Sequence, residues 1–178
     1  MGFLKISGLR RALAGSIAAA AVRSAAGCMY SFTGGGLPSH IRTVYVDLFE
    51  NSTSEEPLRS EIQRALQTQL PRELGVRLAP QASADAIVRG RITGYDELTV
   101  NVDPNTDPQG RLQTRQRRLQ ITFDAEIYDL GNDQSIWKGS SVAAVGNWDP
   151  QSQTVLVARG LAVTDVVRKI VQGAQSQW

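Results

Sequence analysis

The chain of 178 residues contains one cysteine and one histidine. A single thiol excludes an internal disulfide, so a folded domain here must hold together by packing alone. With one thiol and one imidazole, neither a cysteine-based zinc site nor a histidine-assisted nucleophile has its second member. His40 stands in a Pro-Ser-His loop and reads as a surface residue. Other small motifs also fall short. Asp103 and Asp107 suggest a calcium loop but lack the glycine and closing glutamate of that pattern. Gly34, Gly35 and Gly36 precede a strand pattern, not the helix start that cradles phosphate. No constellation supports catalysis. Lysine is scarce, three against 16 arginines.

What is present begins at the amino terminus. Lys5, Arg10 and Arg11 make a basic end, and residues 12–22 an uncharged stretch that is too short to cross a bilayer, which needs about 20 apolar residues. Residues 1–27 read as an export signal. The run Ala25-Ala26-Gly27-Cys28 resembles a bacterial lipobox, in which small residues fit the signal peptidase and the cysteine thiol receives a diacylglycerol. Cys28 is the expected lipid attachment point and first residue of the mature chain. The alternative is one buried, inert cysteine.

Removing that signal changes the charge. Lys5, Arg10, Arg11 and Arg23 account for four of 19 basic groups and the segment holds no acidic ones, which leaves 15 basic against 17 acidic groups and turns a net +2 into −2. The basic balance of the whole chain belongs to the signal. Nucleic acid, which asks for a strongly basic domain, is therefore not an expected partner.

Residues 28–39, with three consecutive glycines and Leu37-Pro38, read as a lipidated start and flexible leash, and 40–178 as a single domain. Residues 41–49 alternate, with Val44, Val46 and Leu48 on one face and Tyr45 and Asp47 on the other, as a half-buried strand does. Ser54 as cap with Pro57 in the first turn starts a helix whose Leu58, Ile62, Leu66 and Leu70 form one stripe; Pro71 is expected to kink or end it. A short strand over 76–79 follows. Residues 86–100 and 119–127 alternate over long stretches: Ala86, Val88, Gly90, Ile92 and Gly94 share one face, Arg89, Arg91 and Tyr95 the other, and Leu119, Ile121, Phe123, Ala125 and Ile127 point inward. Turn formers at 103–110 make this pair a hairpin. A further strand spans 135–145. Asp149 and Pro150 signal a closing helix with Val155, Leu156, Leu161, Ala162, Val166, Ile170 and Val171 on its apolar side and Arg159, Asp165, Arg168 and Lys169 on its wet side. The expected fold is α+β: a two-layer sandwich of an about four-stranded, mostly antiparallel sheet with two helices packed on one face.

Cys28-Met29-Tyr30-Ser31-Phe32, Leu37-Pro38, the strand pattern ending Phe49-Glu50-Asn51, and Ala84-Asp85-Ala86 through Gly90-Arg91-Ile92 to Tyr95 together resemble the LptE lipopolysaccharide-assembly lipoprotein family over most of the mature chain. The resemblance implies two helices on a four-stranded sheet, outer-membrane anchoring on the periplasmic side, and residence in the lumen of an LptD-like β-barrel, where the protein helps deliver lipopolysaccharide to the outer leaflet. It implies no enzyme and no cofactor. Arg89 and Arg91 on one strand and Arg111, Arg115, Arg117 and Arg118 on the returning one offer guanidinium forks that suit lipid A phosphates. Arg89, Arg91, Arg115, Arg117 and Arg118 are the candidate lipopolysaccharide-binding residues. The competing reading is that they keep an exposed face soluble by pairing with Asp124, Glu126 or Glu97. Trp137 reads as packed and Trp178 as a contact residue. A different function class also stays open: the strand at 44–51 is similar to that of curli-secretion and penicillin-binding-protein activator lipoproteins, which points to a secretion scaffold or a regulator of a cell-wall enzyme. A small envelope hydrolase lacks its catalytic set.

Overall fold

The computed structural model describes residues 37–106 and 112–176, with side chains at 101–115 excepted. The signal segment, Cys28, the glycine run, Arg111, the side chain of Arg115 and Trp178 lie outside the described residues.

Where an about four-stranded, mostly antiparallel sheet was expected, the sheet has six strands and is mixed. Its order is β3 (Arg77–Leu78), β1 (Thr43–Val46), β4 (Ala86–Thr106), β5 (Leu112–Asp129) and β6 (Gln134–Trp148), with β2 (Glu50–Asn51) also paired to β4. β1 runs parallel to both β3 and β4, and β2 parallel to β4, while β4, β5 and β6 are antiparallel. The parallel part follows from the connection: a helix returns the chain to the same end of the sheet before β3 and β4 begin. β3 falls within the short strand expected over 76–79, whereas β2, two residues long, carries too little alternation to be seen as a strand of its own.

The expected strand at 41–49 is broken into β1 and β2. Asp47 Oδ1 accepts the Leu48 N–H at 2.8 Å, bending the chain, so that Leu48 is 43% exposed and Phe49 is fully buried in its place. Phe49 lies against Gly90: a Cβ there would stand 2.4 Å from Phe49 Cε1.

The first helix, α1 (Pro57–Leu74), buries Leu58, Ile62, Leu66, Leu70 and Leu74. Proline opens it as expected, but Ser54 does not cap it; the loop before it is ordered by Asn51, whose Oδ1 accepts from Thr53 N and Oγ1. Pro71 does not end the helix either. Leu74, 4% exposed, belongs to the core and carries the last turn past the proline to Gly75, whose φ of 67° closes it. The Gln67 carbonyl that loses its donor to the proline ring belongs to an exposed residue that water can serve.

α2 (Val155–Gln175) starts six residues later than the Asp149 signal, with Thr154 in the capping position. Asp149 instead holds a turn, its carbonyl accepting Ser152 and Gln153 N–H and its Oδ1 that of Gln151. Both helices share one core with the inward strand residues Val44, Val46, Val88, Ile92, Leu119, Ile121, Phe123 and Ile127. Ala162, Val166, Ile170 and Val171 of the expected α2 stripe are buried and Ala158 and Ala174 join them, while Leu156 and Leu161, expected with them, are 59% and 50% exposed. Small residues face inward because α2 sits almost on the strand backbone; a Cβ on Gly146 of β6 would fall 2.0 Å from the Ala158 carbonyl oxygen. Asp165, expected on the wet side, is buried, and its Oδ2 accepts the Val145 N–H at 2.9 Å.

Candidate functional site

The face of the sheet away from the helices is polar, and strand pairing arranges it in rows. Tyr45, Ile87 and Tyr128 stand side by side on β1, β4 and β5. Next come Arg89, Glu126 and Lys138 on β4, β5 and β6, then Glu50, Arg91 and Asp124 on β2, β4 and β5. The second and third rows place unlike charges on neighbouring strands, as cross-strand pairs favour. Between the charged rows lies a row of small residues, Gly90, Ala125 and Gly139, whose backbone floors an open depression of about 350 Å³.

Arg89 donates from Nε and Nη2 to Glu126 Oε2 at 2.9 and 2.8 Å, and its guanidinium lies over the Tyr128 ring, 5.0 Å from the centroid. Burial pushes the Glu126 carboxyl up, but hydrogen bonds from Arg89 and Ser135 and the nearby charges of Arg89 and Lys138 outweigh it, leaving it below the ordinary glutamate value. Arg91 donates from Nε to Glu50 Oε2 at 2.6 Å, and both partners are more than half exposed. Asp124 is taken by the β6 backbone: its Oδ1 accepts the N–H of Ser141, which sits in a bulge at a φ of 52°. Three cations (Arg89, Arg91, Lys138) therefore face four carboxylates (Asp47, Glu50, Asp124, Glu126) around the depression. The face is a balanced ion-pair lattice from which guanidinium edges project, not a bare cationic patch.

The other candidate arginines stand elsewhere. β5 alternates without interruption, so Arg117 shares the helix-side face with Leu119, and Arg118 the open face with Asp124. Arg117 pairs with Glu97 at 3.5 Å and lies over the ring of the buried Trp148, 5.4 Å from its centroid. Arg118 donates from Nε to Asn147 Oδ1 at 3.1 Å. Six residues of strand separate Arg118 from Asp124, the partner opposite Arg91, which is ~20 Å. Arg89 and Arg91 thus stand together beside one depression, with Arg118 far along the same face and Arg117 on the opposite one. Of the carboxylates expected to pair with these arginines, Glu126 and Glu97 do so, Asp124 does not among the described residues, and Glu50 was not foreseen because its short parallel strand reads as the end of a longer one.

A β-bulge changes the second expectation on this strand. Ile92 stands opposite Phe123 and Gly94 opposite Thr122, so Thr93 is the extra residue and the side chains from Gly94 to Thr99 change face, up to the next register shift. Tyr95 consequently packs against the core instead of joining Arg89 and Arg91. Burial raises its hydroxyl pKa, helped by the Glu55 charge and opposed by Arg159. Arg159, expected in solvent, is mostly buried between the helices and pairs with Glu55 at 3.6 Å and Glu61 at 3.2 Å. Trp137 is partly buried as expected, with its ring filling the space above Gly173, where a Cβ would stand 2.1 Å from Cε2.

Among the described residues no group of three or more histidine, cysteine, aspartate or glutamate side chains is placed to hold a metal ion. Among them, too, no helix is long and apolar enough to cross a membrane.

The model of LptE, described as lipopolysaccharide-assembly, matches residues 41–175. The chain belongs to the LptE family. No curated protein matches it. Among solved structures it is similar to the PelC dodecamer from Paraburkholderia phytofirmans, at 16% identity over 75% of this chain and 88% of that one with a TM-score of 0.43. It is similar to lipoprotein GNA1162 from Neisseria meningitidis, at 14% identity over 74% and 99% with a TM-score of 0.42. It is also similar to a minor lipoprotein from Acinetobacter baumannii, at 13% identity over 78% and 94% with a TM-score of 0.40.

Proposed function

We propose that this protein is an outer-membrane lipoprotein, anchored through Cys28 on the periplasmic side, that works with an LptD-like β-barrel in moving lipopolysaccharide to the outer leaflet. It acts by binding and positioning, not by catalysis. Family membership over residues 41–175 supports the process. The lipobox-like run ahead of Met29 supports the anchor.

Arg89 and Arg91 are the residues proposed to touch the lipid, and the observation that carries this is their shared position beside the open depression with both guanidinium groups about half exposed. Their present partners set the chemistry. Exposed carboxylate pairs contribute only about 0–1 kcal/mol, so Glu50 is a weak hold on Arg91. A lipid A phosphate brings more charge and three acceptor oxygens and can replace it in bidentate fashion. Glu126, less exposed and bonded by two Arg89 nitrogens, keeps Arg89 in place over Tyr128, where its outer edge still faces the depression. Arg117 and Arg118 would meet a second part of a large lipid or none.

The test is lipopolysaccharide binding by the chain with Arg89 and Arg91 replaced by alanine, with the chain altered at Arg117 and Arg118 as the comparison from outside the depression. Weaker binding at an unchanged melting temperature supports the site; unaltered binding removes it.

A further inference from the structure

The cations around the open depression differ in how firmly their neighbours hold them. Arg89 gives two nitrogens to Glu126, and Arg91 gives its Nε to Glu50. Lys138 lines the same depression from β6, is exposed, and has neither a hydrogen bond nor an ion pair among the described residues. Its charge reaches Glu126 only through space, and that carboxylate is already bonded by Arg89 and Ser135. An incoming anion can therefore meet the Lys138 ammonium without first displacing a carboxylate, which at Arg91 it must do. A lysine suits such a first contact, because its compact charge sits on a flexible stem with three donors that turn toward the anion.

The carboxylates decide what else the ligand must bring. Asp124 Oδ1 accepts the Ser141 N–H at 2.7 Å, and Asp47 Oδ1 the Leu48 N–H at 2.8 Å. The second oxygen of each accepts no bond among the described residues and is an acceptor open to a hydroxyl group. With four carboxylates against three cations, the depression as a whole does not draw in a bare anion. Contact besides charge comes from the floor. Gly90, Ala125 and Gly139 point their Cβ positions to the helix side and leave flat peptide surface between the two charged rows. Leu48, 43% exposed, adds methyl groups at the edge. The volume of about 350 Å³ is at the small end of ligand sites, which run from about 300 to 1,000 Å³, and suits one ring with its phosphate. An acyl chain would need apolar walls, and Leu48 is the one large apolar side chain among the described lining residues. A nucleobase would need a free aromatic face, but the Arg89 guanidinium covers the Tyr128 ring at 5.0 Å.

We infer that the depression takes a phosphorylated sugar, whose phosphate Lys138 engages first and Arg91 then completes, and whose ring lies on the floor of Gly90, Ala125 and Gly139. The inference rests on the reading of this depression as the place where Arg89 and Arg91 meet a lipid, and narrows it to the sugar-phosphate head with Lys138 as its anchor. The same chemistry occurs in a free sugar phosphate and in a lipid head, so both sources enter the test.

Amide chemical shifts of the isotope-labelled full chain, followed during titration with glucose 1-phosphate, glucose and inorganic phosphate, read the site directly. Glucose 1-phosphate should move the Gly90, Ala125 and Gly139 amides in a saturable way, inorganic phosphate should bind more weakly without moving them, and glucose should not saturate. Lys138→Met keeps the stem at an exposed position and should weaken glucose 1-phosphate about two- to fivefold, the range of one exposed charge pair, while Lys138→Arg restores it. Equal binding of inorganic phosphate and glucose 1-phosphate, floor amides that stay in place, or undiminished binding by Lys138→Met overturns the inference. Purified lipopolysaccharide, titrated in parallel, separates this outcome from the wider reading. If replacing Arg89 and Arg91 by alanine abolishes lipopolysaccharide binding and Lys138→Met leaves it whole, the Lys138 anchor is refuted and the lipid site stands. If glucose 1-phosphate binds through Lys138 while lipopolysaccharide ignores the arginine pair, the sugar-phosphate site stands for a free ligand and the lipid reading falls.

Discussion

The backbone N–H of Val145 donates to Oδ2 of Asp165 at 2.9 Å, tying the middle of the last helix to the edge strand of the sheet. An edge strand carries unpaired backbone groups that invite other chains, and a charged side chain set against it is a common protection. Arg168 caps the same carboxylate from the solvent side through Asp165 Oδ1. Asp165→Ala should leave the Val145 donor without its partner at a cost of about 1–3 kcal/mol, read as a lower urea midpoint at unchanged m-value. A loss under half of that lower bound would mean that the bond contributes little.

Two glycines in contact with, or within, that helix should respond in opposite directions. Gly146→Ala forces a methyl into the Ala158 carbonyl and should cost about 1–3 kcal/mol, because backbone cannot move aside as a side-chain tip can. Gly160 has nothing within 4 Å of its would-be Cβ and lies inside α2, so Gly160→Ala should stabilise by about 0.5–1 kcal/mol. Thermal denaturation of the two variants side by side decides it; equal shifts would contradict the close packing of α2 on β6.

Much of this architecture was readable from side-chain periodicity, and the failures have physical causes. Leu119, Ile121, Phe123, Ala125 and Ile127 alternate without a break and are all buried, because β5 is central and regular. Tyr95 was placed on the wrong face since nothing local marks Thr93 as the extra residue of a bulge. Leu48 lost its inward place to Phe49 for a similar reason, a bend held by Asp47. Asp149 looked like a helix cap because a turn that bonds its own side chain uses the same chemistry as a cap. Of the candidate site, Arg89 and Arg91 were legible from alternation, whereas the separation of Arg117 and Arg118 from them depends on strand length and face, which no motif records.

Acid should destabilise the fold in a defined direction. Hydrogen bonds from Arg42 and Thr43 hold Asp85 below its ordinary value, and Asp129 and Glu126 are lowered as well. A carboxyl whose folded pKa is depressed contributes stability that is present above its unfolded pKa and disappears as pH falls through the folded one. Stability should therefore be retained above the ordinary values of 4.5 for Glu126 and 3.8 for the two aspartates and decline progressively below them. Asp85→Asn should flatten part of that decline; a wild-type chain equally stable at pH 2 and pH 5 would be inconsistent with these bonds.

The charge lattice of the open face makes an unusual demand of a lipopolysaccharide site. If Glu50 competes with phosphate for Arg91, Glu50→Gln should strengthen lipopolysaccharide binding about two- to fivefold, the equivalent of an exposed ion pair, while Arg91→Ala weakens it. Titration of both variants with purified lipopolysaccharide gives the sign. Weaker binding by Glu50→Gln would show that the carboxylate positions Arg91 and does not compete with the lipid.

The reading as an assembly lipoprotein is tested most directly by affinity purification of the tagged full-length chain from detergent-solubilised cell envelopes, with the bound proteins identified by mass. The account predicts one dominant companion, a large outer-membrane β-barrel, recovered with a chain that begins at an acylated Cys28. Recovery with a soluble cell-wall synthase, or of an unmodified chain from the cytosolic fraction, would contradict it.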